Sequence, residues 1–104
     1  MNLQMMPKIA IPKAAIAEFC QRNYIRKLSL FGSVLRDDFG MESDIDVLVE
    51  FEPGAHVGYF ELARMQRELA GLLGRKVDLL TPGALSKYFR QQVLETALPQ
   101  YEKV

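Results

Sequence analysis

The chain has 104 residues, of which 49% are hydrophobic and 25% are charged, proportions typical of a folded domain. We expect one domain, residues 1–104. The single cysteine excludes an internal disulfide and a four-cysteine zinc site. No apolar run approaches the ~20 residues that cross a bilayer, and the N-terminus lacks the pattern of a signal peptide. The sequence therefore predicts a soluble, cytoplasmic protein with no membrane partner.

The charges are unevenly distributed along the chain although the net charge is zero. Residues 37–61 carry eight acidic side chains and no Lys or Arg. Zero net charge argues against a dedicated DNA-binding protein, which normally carries an excess of basic residues. The acidic middle segment is where we expect cations to bind.

The first half of the chain predicts a helix and then a strand. Pro12 suits the first turn of a helix that continues through Arg22. Residues 25–31 alternate polar and apolar side chains in a strand pattern. Gly32-Ser33 then ends the strand and opens a short helical turn.

The second half predicts two more strands and two more helices. Residues 45–51 alternate with a period of two, and apolar residues recur at helical spacing from Leu62 until Gly74. A short strand follows at 76–80, and a last helix is expected through about Leu98. The link between the first two strands, about a dozen residues long, could hold a helix or return antiparallel. We therefore expect an α/β fold of the α+β type, with a short mixed sheet of three to four strands and about four helices.

Three acidic residues stand out as candidate metal ligands. Asp44 and Asp46 are two positions apart on a strand, so their carboxylates project from the same face. Asp78 lies on the third strand between two core-facing residues and could lie beside the pair. Paired carboxylates suit Mg²⁺, which takes one or two of them together with waters and substrate phosphates.

Gly32 and Ser33 form a candidate phosphate-binding turn. Glycine lets a phosphate approach the backbone closely, and free N–H groups at the start of a helical turn can hold its oxygens together with the serine hydroxyl. A phosphate-binding turn and metal-binding carboxylates together indicate phosphoryl or nucleotidyl transfer with two metal ions.

Gly32-Ser33 and Asp44-Ile45-Asp46 are separated by ten residues, and this spacing resembles the signature of the DNA polymerase β-like nucleotidyltransferase superfamily. The sequence is most similar to its minimal nucleotidyltransferases (MNT), over nearly the whole chain. The resemblance implies the nucleotidyltransferase fold, with ATP as the substrate. It also implies two Mg²⁺ ions and three catalytic, metal-binding aspartates: Asp44, Asp46 and Asp78.

The resemblance further implies the roles of single residues. Gly32 and Ser33 would grip the triphosphate, and Asp78 would help to activate the attacking hydroxyl. Arg36 would contact a phosphate or the transition state. An ion pair of Arg36 with Asp37, Asp38 or Glu42 is an equally good interpretation.

The resemblance implies a protein partner as well. MNT proteins are commonly encoded beside HEPN-domain proteins, and some pairs act as toxin and antitoxin, the MNT protein transferring AMP to a tyrosine of the toxin. One alternative is an antitoxin that neutralises its partner by binding alone. Another is transfer to a small molecule. The sequence does not decide whether the protein forms a homo-oligomer.

Several other residues have structural interpretations. Cys20 is expected in the core, His56 on the surface, and Glu50 solvated or ion-paired. Tyr88, Phe89 and Tyr101 could form either an exposed aromatic patch or part of the core.

Overall fold

The computed structural model describes residues 11–35 and 44–103. The elements are, in chain order, α1 (Lys13–Arg22), β1 (Ile25–Phe31), a 3-10 turn (Gly32–Leu35), β2 (Ile45–Phe51), α2 (Tyr59–Leu73), β3 (Val77–Leu80), a second 3-10 turn (Pro82–Ala84), α3 (Arg90–Thr96) and β4 (Leu98–Glu102). No helix within the described ranges is long and apolar enough to cross a membrane.

The four strands form one mixed sheet in the order β3-β2-β1-β4. β1 pairs antiparallel with both β2 and β4, whereas β2 pairs parallel with β3. α2 connects the two parallel strands. This is the usual arrangement, since a crossover between parallel strands needs a long connection. The predicted mixed sheet and α+β fold class are confirmed.

The main core lies on the sheet face covered by α1 and α2. Alternate residues of β2, among them Ile45, Val47 and Val49, have no exposed surface and pack there with Phe19 and Leu69 from the two helices. The period-two pattern of β2 places this buried set on one face and the acidic set on the other.

A smaller apolar cluster lies on the opposite face. Phe31, Leu48 and Leu85 are buried there, with Leu80 and Val93 partly buried against them. The sheet is therefore covered on both faces for part of its length, and its acidic residues lie beside the smaller cluster.

The predicted last helix is wrong at both ends. Residues 85–89 form turns, and α3 begins only at Arg90. Ala97 is already extended, with ψ 143°, and the residues that follow form β4. Pro99 explains the early end because the residue before a proline disfavours helical geometry. A proline is tolerated on an edge strand, which is what β4 is.

Candidate active site

The centre of the candidate site is a pair of aspartates on neighbouring strands. Asp46 of β2 is in register with Asp78 of β3 in the parallel ladder, and Phe31 of β1 is the partner of Asp46 on the other side. Paired residues of adjacent strands project from the same face of a sheet. Asp46 is half-buried and Asp78 is exposed, so the pair opens to solvent at the edge strand.

Gly32 is the first residue after β1 and touches the Asp46 side chain. Its φ is +76°, a conformation that glycine adopts at little cost. A Cβ built on Gly32 would overlap Asp46 Oδ2 and lie 3.2 Å from Asp46 Cγ. Only a residue without a side chain therefore lets the turn lie this close to the carboxylate.

Asp44 precedes β2 by one residue and is half-buried. Within the described ranges, no three His, Cys, Asp or Glu side chains lie close enough together to hold a metal ion. The structure thus pairs Asp46 with Asp78 but does not gather all three predicted carboxylates. Carboxylates repel one another unless a positive charge lies between them. The donor set fits Mg²⁺, since this ion needs only one or two protein carboxylates beside the substrate phosphates.

The floor beside the aspartate pair is apolar. Phe31 and Leu48 are buried next to Asp46 along the same face, and Leu85 covers them. The Arg90 guanidinium donates a hydrogen bond of 3.0 Å to the Leu85 carbonyl and so ties α3 to this segment. An apolar floor with carboxylates at its rim is the usual construction of a small-molecule site.

The other two predicted nucleotide-binding residues are only partly described. Ser33 lies in the 3-10 turn Gly32–Leu35, which confirms the predicted helical turn, and its side chain lies outside the part of the chain that the structure describes. Arg36 lies outside the described residues. The roles of both residues stay predictions.

Three structural interpretations from the sequence are confirmed. Glu50 forms an ion pair with Arg26, with 3.3 Å between Glu50 Oε1 and Arg26 Nη2. His56 is exposed in the segment after β2. Cys20 is fully buried, and desolvation raises the pKa of its thiol to about 12. A thiol with so high a pKa stays protonated and is not a nucleophile at neutral pH.

The aromatic residues near the C-terminus do not form one patch. Tyr88 is 89% exposed and Phe89 45% exposed, whereas Tyr101 is partly buried against the main core. The sequence analysis missed another exposed pair, Tyr59 and Phe60 at the start of α2, whose rings meet edge to face at 6.2 Å. No local signal in the sequence distinguishes these residues from core residues, because tyrosine and phenylalanine occur at both exposed and buried positions.

Several known proteins are similar to this chain in sequence or in fold. A family described as "Nucleotidyltransferase domain" matches residues 13–98. A protein of Methanocaldococcus jannaschii, provisionally named a protein adenylyltransferase, is 33% identical over 86 residues, which cover 83% of this chain and 90% of the relative. A solved structure provisionally described as a minimal nucleotidyltransferase is 37% identical with a TM-score of 0.70, and the match covers 84% of this chain and 87% of that one.

Structures of toxin–antitoxin complexes share the fold at lower identity. One, solved with AMP-PNP, is 22% identical with a TM-score of 0.71, covering 89% of this chain and 75% of the matched chain. Another contains a tri-AMPylated HEPN toxin of Shewanella oneidensis bound to an MNT antitoxin; it is 22% identical with a TM-score of 0.63, covering 88% and 70%.

The mixed sheet, the glycine turn and the matched family together define a nucleotidyltransferase. The chain belongs to the nucleotidyltransferase domain family and, within it, to the minimal nucleotidyltransferases.

Proposed function

We propose that this protein is a Mg²⁺-dependent protein adenylyltransferase that acts as the antitoxin of a toxin–antitoxin pair. It transfers AMP from ATP to a tyrosine of a HEPN-type toxin, as a single domain in the cytoplasm. The observation that carries the proposal is the alignment of Asp46 with Asp78 beside the Gly32 turn.

The geometry supports nucleotidyl transfer because it combines the two features that this reaction needs. Gly32 and Ser33 begin a helical turn at the end of β1. The first backbone N–H groups of such a turn have no partner within it and suit phosphate oxygens. Asp46 lies against the same turn. A triphosphate bound at the turn would thus lie directly beside the carboxylates.

Each candidate residue then has a role in the reaction. Asp44, Asp46 and Asp78 are the residues that would hold Mg²⁺. When bound, Mg²⁺ offsets the negative charge of the triphosphate and of the leaving group. Gly32 and Ser33 bind the phosphates, which holds the α-phosphorus in place for attack.

Asp78 is the aspartate best placed to accept the proton of the attacking tyrosine hydroxyl, because it is exposed on the edge strand. The tyrosine oxygen forms a bond to the α-phosphorus of ATP, and the bond from the α-phosphorus to the bridging oxygen of the β-phosphate breaks. Pyrophosphate leaves with that electron pair. The tyrosine proton passes to the Asp78 carboxylate, and the product is an AMP–tyrosine phosphodiester.

The protein acceptor and the antitoxin role are supported by the relatives. The M. jannaschii protein carries the name of a protein adenylyltransferase, and chains of the same fold occur in toxin–antitoxin complexes, one with AMP-PNP and one with an AMPylated HEPN toxin. The exposed edge at Asp78 is compatible with a macromolecular acceptor, which could not enter a closed pocket.

The test is transfer of label from ATP radiolabelled at the α-phosphate to a HEPN protein encoded beside this one. ATP labelled at the γ-phosphate serves as the control, because adenylyl transfer leaves that label in pyrophosphate. We expect a labelled toxin only with the α-label and only with wild-type protein. Digestion of the labelled toxin should place AMP on a tyrosine.

Asp44→Asn with Asp46→Asn separates catalysis from simple binding. Loss of neutralisation with retained toxin binding supports catalysis. Neutralisation that is unchanged in this variant would instead establish an antitoxin that works by covering its partner. Label found only in small molecules would replace the protein acceptor with a small-molecule acceptor.

A further inference from the structure

The strand that carries Asp78 is held at its outer edge by a side chain rather than by another strand. β3 has four residues and lies at the end of the sheet. The Leu79 amide donates a hydrogen bond of 2.9 Å to Gln66 Oε1 of α2. Backbone N–H groups of an edge strand otherwise depend on water. Gln66 thus takes the place of a missing neighbouring strand.

This hydrogen bond lies on the peptide unit that follows Asp78. The Leu79 N–H and the Asp78 carbonyl belong to one planar, trans peptide group, so they point in opposite directions. The Ile45 amide of β2 donates a hydrogen bond of 2.9 Å to the Lys76 carbonyl. In a parallel ladder, every second residue of a strand bonds to the same neighbouring strand. The carbonyl of Asp78, two residues after Lys76, therefore also faces β2. The peptide group is therefore held between β2 on one side and Gln66 on the other.

The orientation of this peptide group determines where the Asp78 carboxylate lies relative to Asp46. Asp78 is exposed, so its own side chain has little packing to hold it in place. Its neighbours Val77 and Leu79 are buried in the main core and hold β3 against it. Gln66 adds the one described restraint on the outer edge at this peptide.

We propose that Gln66 is a positioning residue for the reaction: by holding the Asp78–Leu79 peptide group, it keeps the Asp78 carboxylate opposite Asp46. The inference rests on the proposed function. Gln66 does not touch the reacting atoms and acts only through Asp78. Small displacements of a reacting group lower rates strongly, so the effect should fall on turnover rather than on ATP binding.

The test compares Gln66→Met, which removes the acceptor at similar length, with Gln66→Glu, which keeps an oxygen acceptor. Gln21→Met, on the exposed side of α1, is the matched control. For Gln66→Met we expect the Leu79 amide to exchange with solvent about five- to tenfold faster, as befits the loss of one hydrogen bond. We expect kcat for AMP transfer to fall at least about tenfold with KM for ATP little changed.

Gln66→Glu should restore slow exchange at Leu79 and most of kcat, which a general loss of packing would not allow. Three results would overturn the inference: Leu79 exchange unchanged in Gln66→Met, a kcat equal to that of Gln21→Met, or no rescue by Gln66→Glu. A wild-type protein that labels no acceptor would instead contradict the proposed function itself, and this inference with it.

Discussion

The Asp46 carboxylate lies in the space that a side chain at Gly32 would occupy. The turn after β1 and the second strand are therefore in contact at the position where phosphate and metal binding are proposed. The positive φ of Gly32 is part of the same construction, because it turns the backbone toward helical geometry as soon as the strand ends. One glycine thus links the candidate phosphate-binding turn to the candidate metal-binding carboxylate.

Gly32→Ala should lower both stability and AMP transfer. The new Cβ overlaps Asp46 Oδ2, and alanine at φ +76° is strained, so we expect a loss of about 1–3 kcal/mol in the free energy of unfolding. AMP transfer should fall further than stability explains, since Asp46 must move. Chemical denaturation and label transfer, measured where the variant is folded, check both effects.

Gly71→Ala is the matched control for that substitution. Gly71 lies on the exposed side of α2, and an added Cβ there meets nothing within 4 Å. Alanine favours helix over glycine by up to about 1 kcal/mol, so this variant should be more stable than wild type and fully active. Equal stability of the two alanine variants would contradict the close contact between Gly32 and Asp46.

Asp46→Asn should abolish transfer without unfolding the protein. The amide has the shape of the carboxylate but no charge, so metal-assisted transfer should fall by about 100-fold or more. The variant should stay folded, with a change of about 1 kcal/mol or less in the free energy of unfolding, because asparagine keeps the size and shape of the side chain. Label transfer and thermal unfolding measure the two effects separately.

Glu50→Gln provides the control on the same face of the same strand. Glu50 pairs with Arg26 across a half-exposed ion pair, which contributes less than about 1 kcal/mol. This variant should keep wild-type transfer. A comparable loss of transfer in Glu50→Gln and Asp46→Asn would show that general acidity of the face matters rather than the Asp46 site.

The first two strands were predictable because each is bounded by residues that stop it. β1 ends just before Gly32 and β2 ends two residues before Pro53-Gly54, and both sequences alternate apolar and polar side chains over part of their length. Gly74, at φ +67°, ends α2 in the left-handed conformation expected of a helix C-cap. These are local signals, so a single sequence contains them.

β4 could not be predicted in the same way. Residues 98–102 contain a proline and show no strict alternation, so their strand exists only because β1 offers an open edge. The candidate site was likewise predictable only in part. The spacing of Asp44 and Asp46 predicts a shared face, although β2 begins only at Ile45. The register of Asp46 with Asp78 and the hydrogen bond from Leu79 to Gln66 depend instead on tertiary packing.

Tyr24→Gly should stabilise the protein. Tyr24 follows α1 with φ +58°, a conformation that is costly for a residue with a side chain. The side chain is 64% exposed, so little packing is lost. Its carbonyl accepts a hydrogen bond from the Glu52 amide at 2.9 Å, and glycine keeps that bond. Relief of the left-handed conformation is worth about 1–2 kcal/mol, whereas the added freedom of the unfolded chain costs about 0.5–1 kcal/mol. We therefore expect a net gain of up to about 1 kcal/mol in the free energy of unfolding, measured by urea denaturation.

Tyr88→Gly tests whether this gain comes from the backbone. Tyr88 is 89% exposed and is not among the positive-φ residues of the described ranges. Glycine there increases the freedom of the unfolded chain and removes the exposed contact of the ring with the Lys87 ammonium at 5.6 Å, so stability should fall by about 0.5–1 kcal/mol or slightly more. Stabilisation by both substitutions would indicate an effect of removing exposed tyrosine rather than relief of strain at Tyr24.

The buried thiol of Cys20 predicts a specific sensitivity to alkaline pH. Burial raises its pKa from 9.0 to about 12, so between these values the folded protein holds a proton that the unfolded chain releases. The contribution of the protonated thiol to the free energy of unfolding is thus fully present below pH 9 and is lost as the pH rises toward 12. Cys20→Ala removes this titration, although it loses some packing at every pH. The difference in the free energy of unfolding between wild type and variant should therefore shrink above pH 9. A difference that stays constant up to pH 12 would mean that the thiol ionises as readily in the folded protein as in the unfolded chain.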